Sequence, residues 1–283
     1  MAQPFFDPVL FIKEDSPTAV DLLQTPYFCN IDGYPHYRAT PPEGPKPRVA
    51  AAMDPKVEIG NEYHVLSATT THPDPKYGNQ TRLEFQASEV KYQALPATRQ
   101  TAEAFGMTLI EPGQSIYINS PQPRLSLVDY EYGMFAGHRS PYEGTGNRLL
   151  GKVCTDLEHH DFPHIFTSID PHLPLVISVG KYWPQTQKIR LADLWLPRGH
   201  ALYVPPRPKL LGQTCLALHG NRNSALACWQ GTGRSSVRTQ TLLQTEDSYF
   251  YWFWNELPSI HSPLDPHRSA PCLIAPPPAH PGA

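Results

Sequence analysis

Tyr249-Phe250-Tyr251-Trp252-Phe253-Trp254, six consecutive aromatic residues, sit near the end of the longest proline-free stretch of the chain, Lys209 to Leu257. On a strand, successive side chains point to opposite faces, so this run is apolar on both sides. It reads as a central, buried strand, since aromatic residues favour strands and bury large areas. The same residues suit a docking element, because aromatics concentrate at interface hot spots.

All 33 prolines lie outside that stretch, from Pro4 to Pro281. Each fixes φ and removes a backbone donor, which ends helices and is excluded from central strands. A helical bundle, or an α/β fold with long crossovers, is ruled out. The expected fold is mainly β, with extensive irregular extended segments and few short helices.

Within the proline-free stretch, Gln213 to His219 and Ser224 to Gln230 flank Gly220-Asn221-Arg222-Asn223 and read as a hairpin. That register sets Cys215 opposite Cys228, and puts Leu216 and Leu218 on one face with Ala225, Ala227 and Trp229. A disulfide between the two cysteines is geometrically conceivable, but a reducing compartment favours free thiols.

Upstream, residues 56 to 204 show short period-2 fragments. Leu83, Phe85 and Ala87 alternate, then Val90, Tyr92 and Ala94 alternate in the opposite phase, marking a bulge or turn at Ser88-Glu89. Pro174-Leu175-Val176-Ile177-Ser178-Val179 reads as a buried strand. One helix is expected over Pro96–Phe105, stopped by Gly106. Residues 1–55 carry ten prolines and a single helix signal, Ser16 to Leu23, so they read as an extended Pro/Tyr-rich arm. Residues 56–257 form the β-rich core, and 258–283 a proline-rich disordered tail.

Net charge is −3, charged residues are 17%, and no basic run exceeds two residues. Nucleic-acid binding needs a clustered basic footprint, so no nucleic-acid partner is expected. The first residues lack a basic and apolar leader pattern, and no apolar run approaches the roughly 18 residues of a membrane helix. An intracellular, cytoplasmic protein without a membrane partner is the expectation. The five cysteines, scattered and without CxxC pairs, fit free thiols.

The densest chemistry is Glu158-His159-His160-Asp161-Phe162-Pro163-His164, continued by Asp170-Pro171-His172. His159, His160, His164, His172 and Asp161 are the metal-ligand candidates. A helical His160–His164 pair, however, would have to run through Pro163. The expectation is therefore a polar, turn-rich loop, with no metal or cofactor. Gly144–Gly151 and Gly231-Thr232-Gly233 match no phosphate-binding fingerprint. No G-x-S-x-G elbow is present, and Cys154 has no nominated base, so no catalytic residue is assigned.

Tyrosine recurs beside proline or glycine, as in Pro26-Tyr27, Gly33-Tyr34-Pro35-His36-Tyr37 and Pro141-Tyr142. Tyrosine gives large area at low rotamer cost, and proline lowers the cost of ordering an extended segment. Tyr27, Tyr34, Tyr37, Tyr249, Trp252 and Trp254 are the partner-binding candidates. In this Pro- and Tyr-rich texture the chain resembles the microtubule inner proteins of cilia and sperm flagella. The resemblance implies a non-catalytic scaffold among tubulin or axonemal filament proteins, located in the cytoskeleton of a cilium. The alternative is a metal-dependent hydrolase or oxygenase using residues 158–172.

Overall fold

The computed structural model describes residues 9–14, 17–31, 34–44, 46, 58–74, 78–135, 148–152, 155–167, 175–207, 214–232, 236–243 and 249–264. Its first strands are β1 (Val9–Glu14), β2 (Thr18–Asp21), β3 (Tyr27–Ile31), β4 (Tyr34–Arg38), β5 (Asn61–Asp74), β6 (Gly78–Phe85), β7 (Val90–Lys91) and β8 (Gln93–Pro96). Helix α1 (Arg99–Ala104) precedes β9 (Thr108–Ile110), β10 (Ser115–Tyr117), β11 (Arg124–Phe135), β12 (Arg148–Lys152), β13 (Thr155–His160) and β14 (His164–Thr167). Then come β15 (Leu175–Trp183), β16 (Lys188–Leu196), β17 (Ala201–Val204) and β18 (Leu216–Gly220). Helix α2 (Asn221–Thr232), β19 (Ser236–Leu243), β20 (Phe250–Asn255) and β21 (Ser259–Ile260) complete the described elements. The chain is mainly β, as its proline spacing and period-2 fragments imply.

Seven strands close into a barrel. β15, β18, β13, β20, β6, β5 and β16 pair in that order, and β16 returns to β15. All these pairings are antiparallel except that of β20 with β6. The aromatic run is thus a central strand held between β13 and β6, with Tyr251 and Phe253 buried inward and Phe250, Trp252 and Trp254 half-buried on the outer face. Leu83, Leu157, Ile189, Leu191 and Leu218 fill the interior beside them. Prolines respect this closure. Pro35 lies on the edge strand β4, Pro96 ends β8, and Pro73 falls near the far end of β5, where a missing N–H is tolerated.

An open sheet of order β12-β1-β11-β19-β14-β17-β9, with β2 also on β11, covers one side of the barrel. Outward side chains of β15 and β16, including Ile177, Val179, Ala192 and Leu194, pack under Leu109, Phe166, Leu202 and Val204 of that sheet. Its opposite face carries Ile110, Ile165 and Tyr203, against Phe28 and Ile116 from a small sheet of order β10-β3-β4. Burial of apolar area on the order of 25 cal/mol per Å² makes these three layers the main source of cohesion.

Several expectations are corrected. Where it is described, the segment expected as an extended arm, 1–55, is built into the sheets. β1 and β2 pair with β11, and β3 carries the fully buried Phe28. Within the helix expected over Ser16–Leu23, Thr18–Asp21 forms strand β2 instead. Val20 and Leu22 reach the core, and Asp21 closes a turn by accepting the Leu23 N–H at 2.9 Å. The second half of the expected hairpin is helix α2. Residues 223–228 are buried all round, so their apolar period fits a helix as well as a strand. Cys215 and Cys228 are free thiols and do not face each other across a hairpin.

The tail also begins ordered. β21 pairs in parallel with β7, and His261 is buried, while 265–283 lie outside the described residues. The helix near residue 100 is present, capped by Thr98 in a reciprocal box with Thr101 and ended before Gly106 at φ 68. The phase switch at Ser88-Glu89 is the bend between β6 and β7. Among the described residues, no helix is long and apolar enough to cross a membrane.

Candidate metal centre

The stretch from Glu158 to His164 is a strand, a tight turn and a second strand. β13 ends at His160, residues 161–163 turn, and β14 begins at His164. Pro163, which forbids a helical His160–His164 pair, lies in that turn. β13 belongs to the barrel and β14 to the open sheet, so the two histidines meet between the layers. Alternation on β13 sends Leu157 and His159 into the barrel, and Glu158 and His160 outward. β18 runs beside β13 with Glu158 opposite His219.

Glu158, His160, His164 and His219 therefore converge. One ligand-type atom from each lies within 4.8 Å of all the others, and every one of the four residues is buried. The Nε2 atoms of His160 and His219 are 3.1 Å apart, and Glu158 Oε1 lies 3.8 Å from His219 Nε2. A tetrahedral shell with bonds of about 2.0–2.1 Å has edges of about 3.4 Å. These two separations bracket that edge, and one as wide as 4.8 Å closes to it with a combined approach of about 1.4 Å.

Proton positions follow from the partners. His160 Nδ1 lies 2.7 Å from the Phe162 carbonyl oxygen. A carbonyl only accepts, so Nδ1 carries the proton and Nε2 offers its lone pair to the centre. Such fixing of a histidine tautomer by a backbone carbonyl is the usual outer support of a metal-bound imidazole. Trp252 Nε1 donates to Glu158 Oε2 at 2.9 Å, leaving Oε1 on the side of His219. Among the described residues, neither ring nitrogen of His164, nor Nδ1 of His219, has a hydrogen-bond partner. Unpaired buried polar atoms are uncommon and costly, and a bound cation would satisfy those that face it.

Electrostatics keep the cluster uncharged by itself. Burial lowers His160 to about 3, and holds His164 and His219 well below the usual imidazole range. Burial, followed by the nearby Asp156, raises Glu158 to about 8. Asp156 is raised to about 6 by burial and is paired with Arg222 at 3.4 Å. Neutral imidazoles are the form a metal needs, and the ion would displace the Glu158 proton. One charge opposes loading: Arg207 donates its backbone N–H to the His160 carbonyl oxygen at 2.9 Å, and its guanidinium further lowers His160 and His219.

Aromatic rings wall the centre. Phe162 stacks on His160 at 3.8 Å between centroids, Phe166 on His164 at 4.1 Å, and Phe250 lies 5.6 Å from His160.

Of the sequence-derived ligand candidates, His160 and His164 are in the cluster and three are not. His159 points into the barrel and stacks on Tyr251 at 4.7 Å. Asp161 accepts the Tyr249 N–H at 2.9 Å and lies outside the cluster. His172 lies outside the described residues, as do Asp170 and Cys154. In place of the expected polar, turn-rich loop there are two buried strand ends joined by a short turn. Sequence reasoning missed Glu158 and His219. Glu158 stands two residues from His160, the spacing that shares a strand face. His219 is 59 residues from His160 and carries no local signal.

The partner-binding candidates are largely engaged within the fold. Tyr27 meets Tyr117 edge-on at 5.5 Å, and Tyr37 packs on Phe28 at 5.8 Å. Tyr34 pairs through its backbone with Ile31. The Tyr249 hydroxyl donates to that of Tyr251, Trp252 stacks on Phe250 at 5.0 Å, and Arg82 lies over the Trp254 ring at 5.7 Å.

Comparison with protein families, with curated proteins and with solved structures returned no match for this chain.

Proposed function

We propose that this protein binds a divalent transition-metal ion through Glu158, His160, His164 and His219, and that the ion serves the fold. The supporting observation is the convergence of four ligand-type side chains, from three strands in two sheets, within 4.8 Å in a buried layer. Three imidazoles and one carboxylate suit zinc and its first-row neighbours, and disfavour calcium and magnesium, which take oxygen. Four protein ligands enclosed by packed rings match a structural site. A catalytic site keeps a coordination position open for water or substrate. Hence the ion ties the barrel to the open sheet, and hydrolase or oxygenase chemistry is the less favoured reading.

Metal analysis of the purified protein tests this. One equivalent of zinc, or its uptake after metal stripping, is expected for the wild type. His164→Ala/His219→Ala should lose it while His159→Ala keeps it. Wild-type protein that takes up neither zinc nor cobalt, or a double variant that retains stoichiometric metal, would overturn the reading.

A scaffold role through aromatic anchors rests on the Pro/Tyr texture of the sequence, since those anchors contact other residues of the fold. Co-sedimentation with microtubules tests that role directly, and recovery of all the protein in the supernatant would set it aside.

A further inference from the structure

A second buried polar network lies towards the end of the barrel away from the β15–β16 turn. Asp193 on β16 is fully buried and faces inward. Its Oδ1 accepts from Ser178 Oγ at 2.7 Å, and its Oδ2 lies 2.8 Å from Nδ1 of His261. That imidazole comes from the segment that follows the last barrel strand. It stacks on Tyr92 at 4.6 Å, whose hydroxyl accepts from Asn223 Nδ2 at 2.8 Å.

The main chain of the same segment is held on both sides. Val90 N–H donates to Pro258 O and Tyr92 N–H to Ile260 O, each at 2.9 Å. From α2, Gln230 Oε1 accepts the His261 N–H at 3.0 Å, and Gln230 Nε2 donates to Ser259 O at 3.4 Å. A main-chain ladder on one side, with a pocket for one side chain, is how strand-adding domains recognise peptides. The pocket is selective by its chemistry. A carboxyl group buried this deeply is costly unless donors meet it, and Ser178 and His261 supply them.

We propose that the groove between β7 and α2, floored by Asp193, is a recognition site for a short extended segment bearing a histidine. In the resting chain residues 258–261 occupy it as a self-ligand. Only Glu256 and Leu257 separate this segment from β20, so its effective concentration is high, of millimolar order or above. A competing segment must displace it.

Competition in the full-length protein tests the proposal. The probe is a fluorescent peptide, Leu-Pro-Ser-Ile-His-Ser-Pro-Leu, the sequence of residues 257–264, followed by anisotropy. It should bind the His261→Ala protein at least about tenfold more tightly than wild type, because the variant's own segment no longer fills the pocket. A peptide with alanine in place of its histidine should lose about tenfold or more on the same variant. No peptide binding to a folded His261→Ala protein, or equal binding of the two peptides, would overturn the proposal. Hydrogen exchange on the wild type covers a variant that fails to fold. The Val90 and Tyr92 amides should open before those of β15 and β16, and protection equal to the barrel's would overturn displacement. None of these readouts depends on the metal centre.

Discussion

The Nε2 atoms of His160 and His219 face each other at 3.1 Å across neighbouring barrel strands. With Nδ1 of His160 tied to a carbonyl, the only proton between them belongs to His219. In the metal-free protein His219 donates to His160. A bound ion would take a lone pair from both nitrogens, which would require the His219 proton to move to Nδ1. This exchange is the local chemistry from which the first expected outcome follows.

Cobalt(II) substituted into the site is expected to give the intense visible bands of four-coordinate geometry. Azide added in excess should leave those bands unchanged, because four protein ligands complete the shell. A pale six-coordinate spectrum, or bands that shift with azide, would point to an open position and to catalysis. At a free-ion concentration 1,000 times Kd, loading should add about 4 kcal/mol of stability, read as a rise in Tm that vanishes in the His164→Ala/His219→Ala protein.

Metal-free protein should be most stable near neutrality. His159 and His160 are lowered to about 3, and His164 and His219 lie well below their usual range. These four bind protons in the unfolded chain, from about pH 6.5 downward, but not in the folded one. Stability is thus lost as pH falls below that value. Glu158, raised to about 8, and Asp156, raised to about 6, act oppositely. They favour the folded state at low pH and cost stability as pH rises from the ordinary carboxyl range to their folded values. Four imidazoles outweigh two carboxyls below pH 6.5, so denaturant midpoints should climb from pH 4 to about pH 7 and then level or decline. Metal should abolish the decline, because Glu158 is then ionised on the ion. A midpoint insensitive to pH between 4 and 7 would contradict burial of neutral imidazoles.

Trp252→Phe removes the indole donor to Glu158 Oε2 and keeps the aromatic packing. Loss of such an outer partner typically weakens metal binding about 10–100-fold. A competition titration with a chromophoric chelator should show a drop of that order, with far-UV circular dichroism unchanged. Affinity equal to wild type would mean that the indole does not orient the carboxylate.

Gly220→Ala should cost about 1–3 kcal/mol, as overpacking does. A Cβ there would lie 2.7 Å from the Asp156 carbonyl oxygen and 3.0 Å from Asn223 Cβ. Gly220 joins β18 to α2 directly after His219, so the same change should also lower metal affinity. Chemical denaturation and the chelator titration separate the two effects.

The fold was more legible than the site. Proline spacing excluded long helices, and the aromatic run found its place as a barrel strand, since both readings depend on local backbone sterics and side-chain alternation. Helix α2 escaped because residues 223–228 are buried on every side, leaving no polar stripe to distinguish period 3.6 from period 2. For the site, a helical template drew attention to Pro163 as an obstacle. On a strand–turn–strand frame the same proline permits the encounter of His160 and His164. Glu158 was within reach through its i, i+2 relation to His160. His219 was not, because only the barrel's strand order sets it opposite Glu158.

The parallel pairing of β20 with β6 also has a kinetic consequence. β20 fills the gap between β13 and β6, so the sheet that runs from β6 through β5, β16, β15 and β18 to β13 cannot close into a barrel until residue 255 has emerged. Contacts of such long sequence separation form slowly. During translation, the edges of β6 and β13 stay open and prone to wrong pairing. Production of this protein should therefore respond to slower synthesis or added chaperone more than its final stability would suggest.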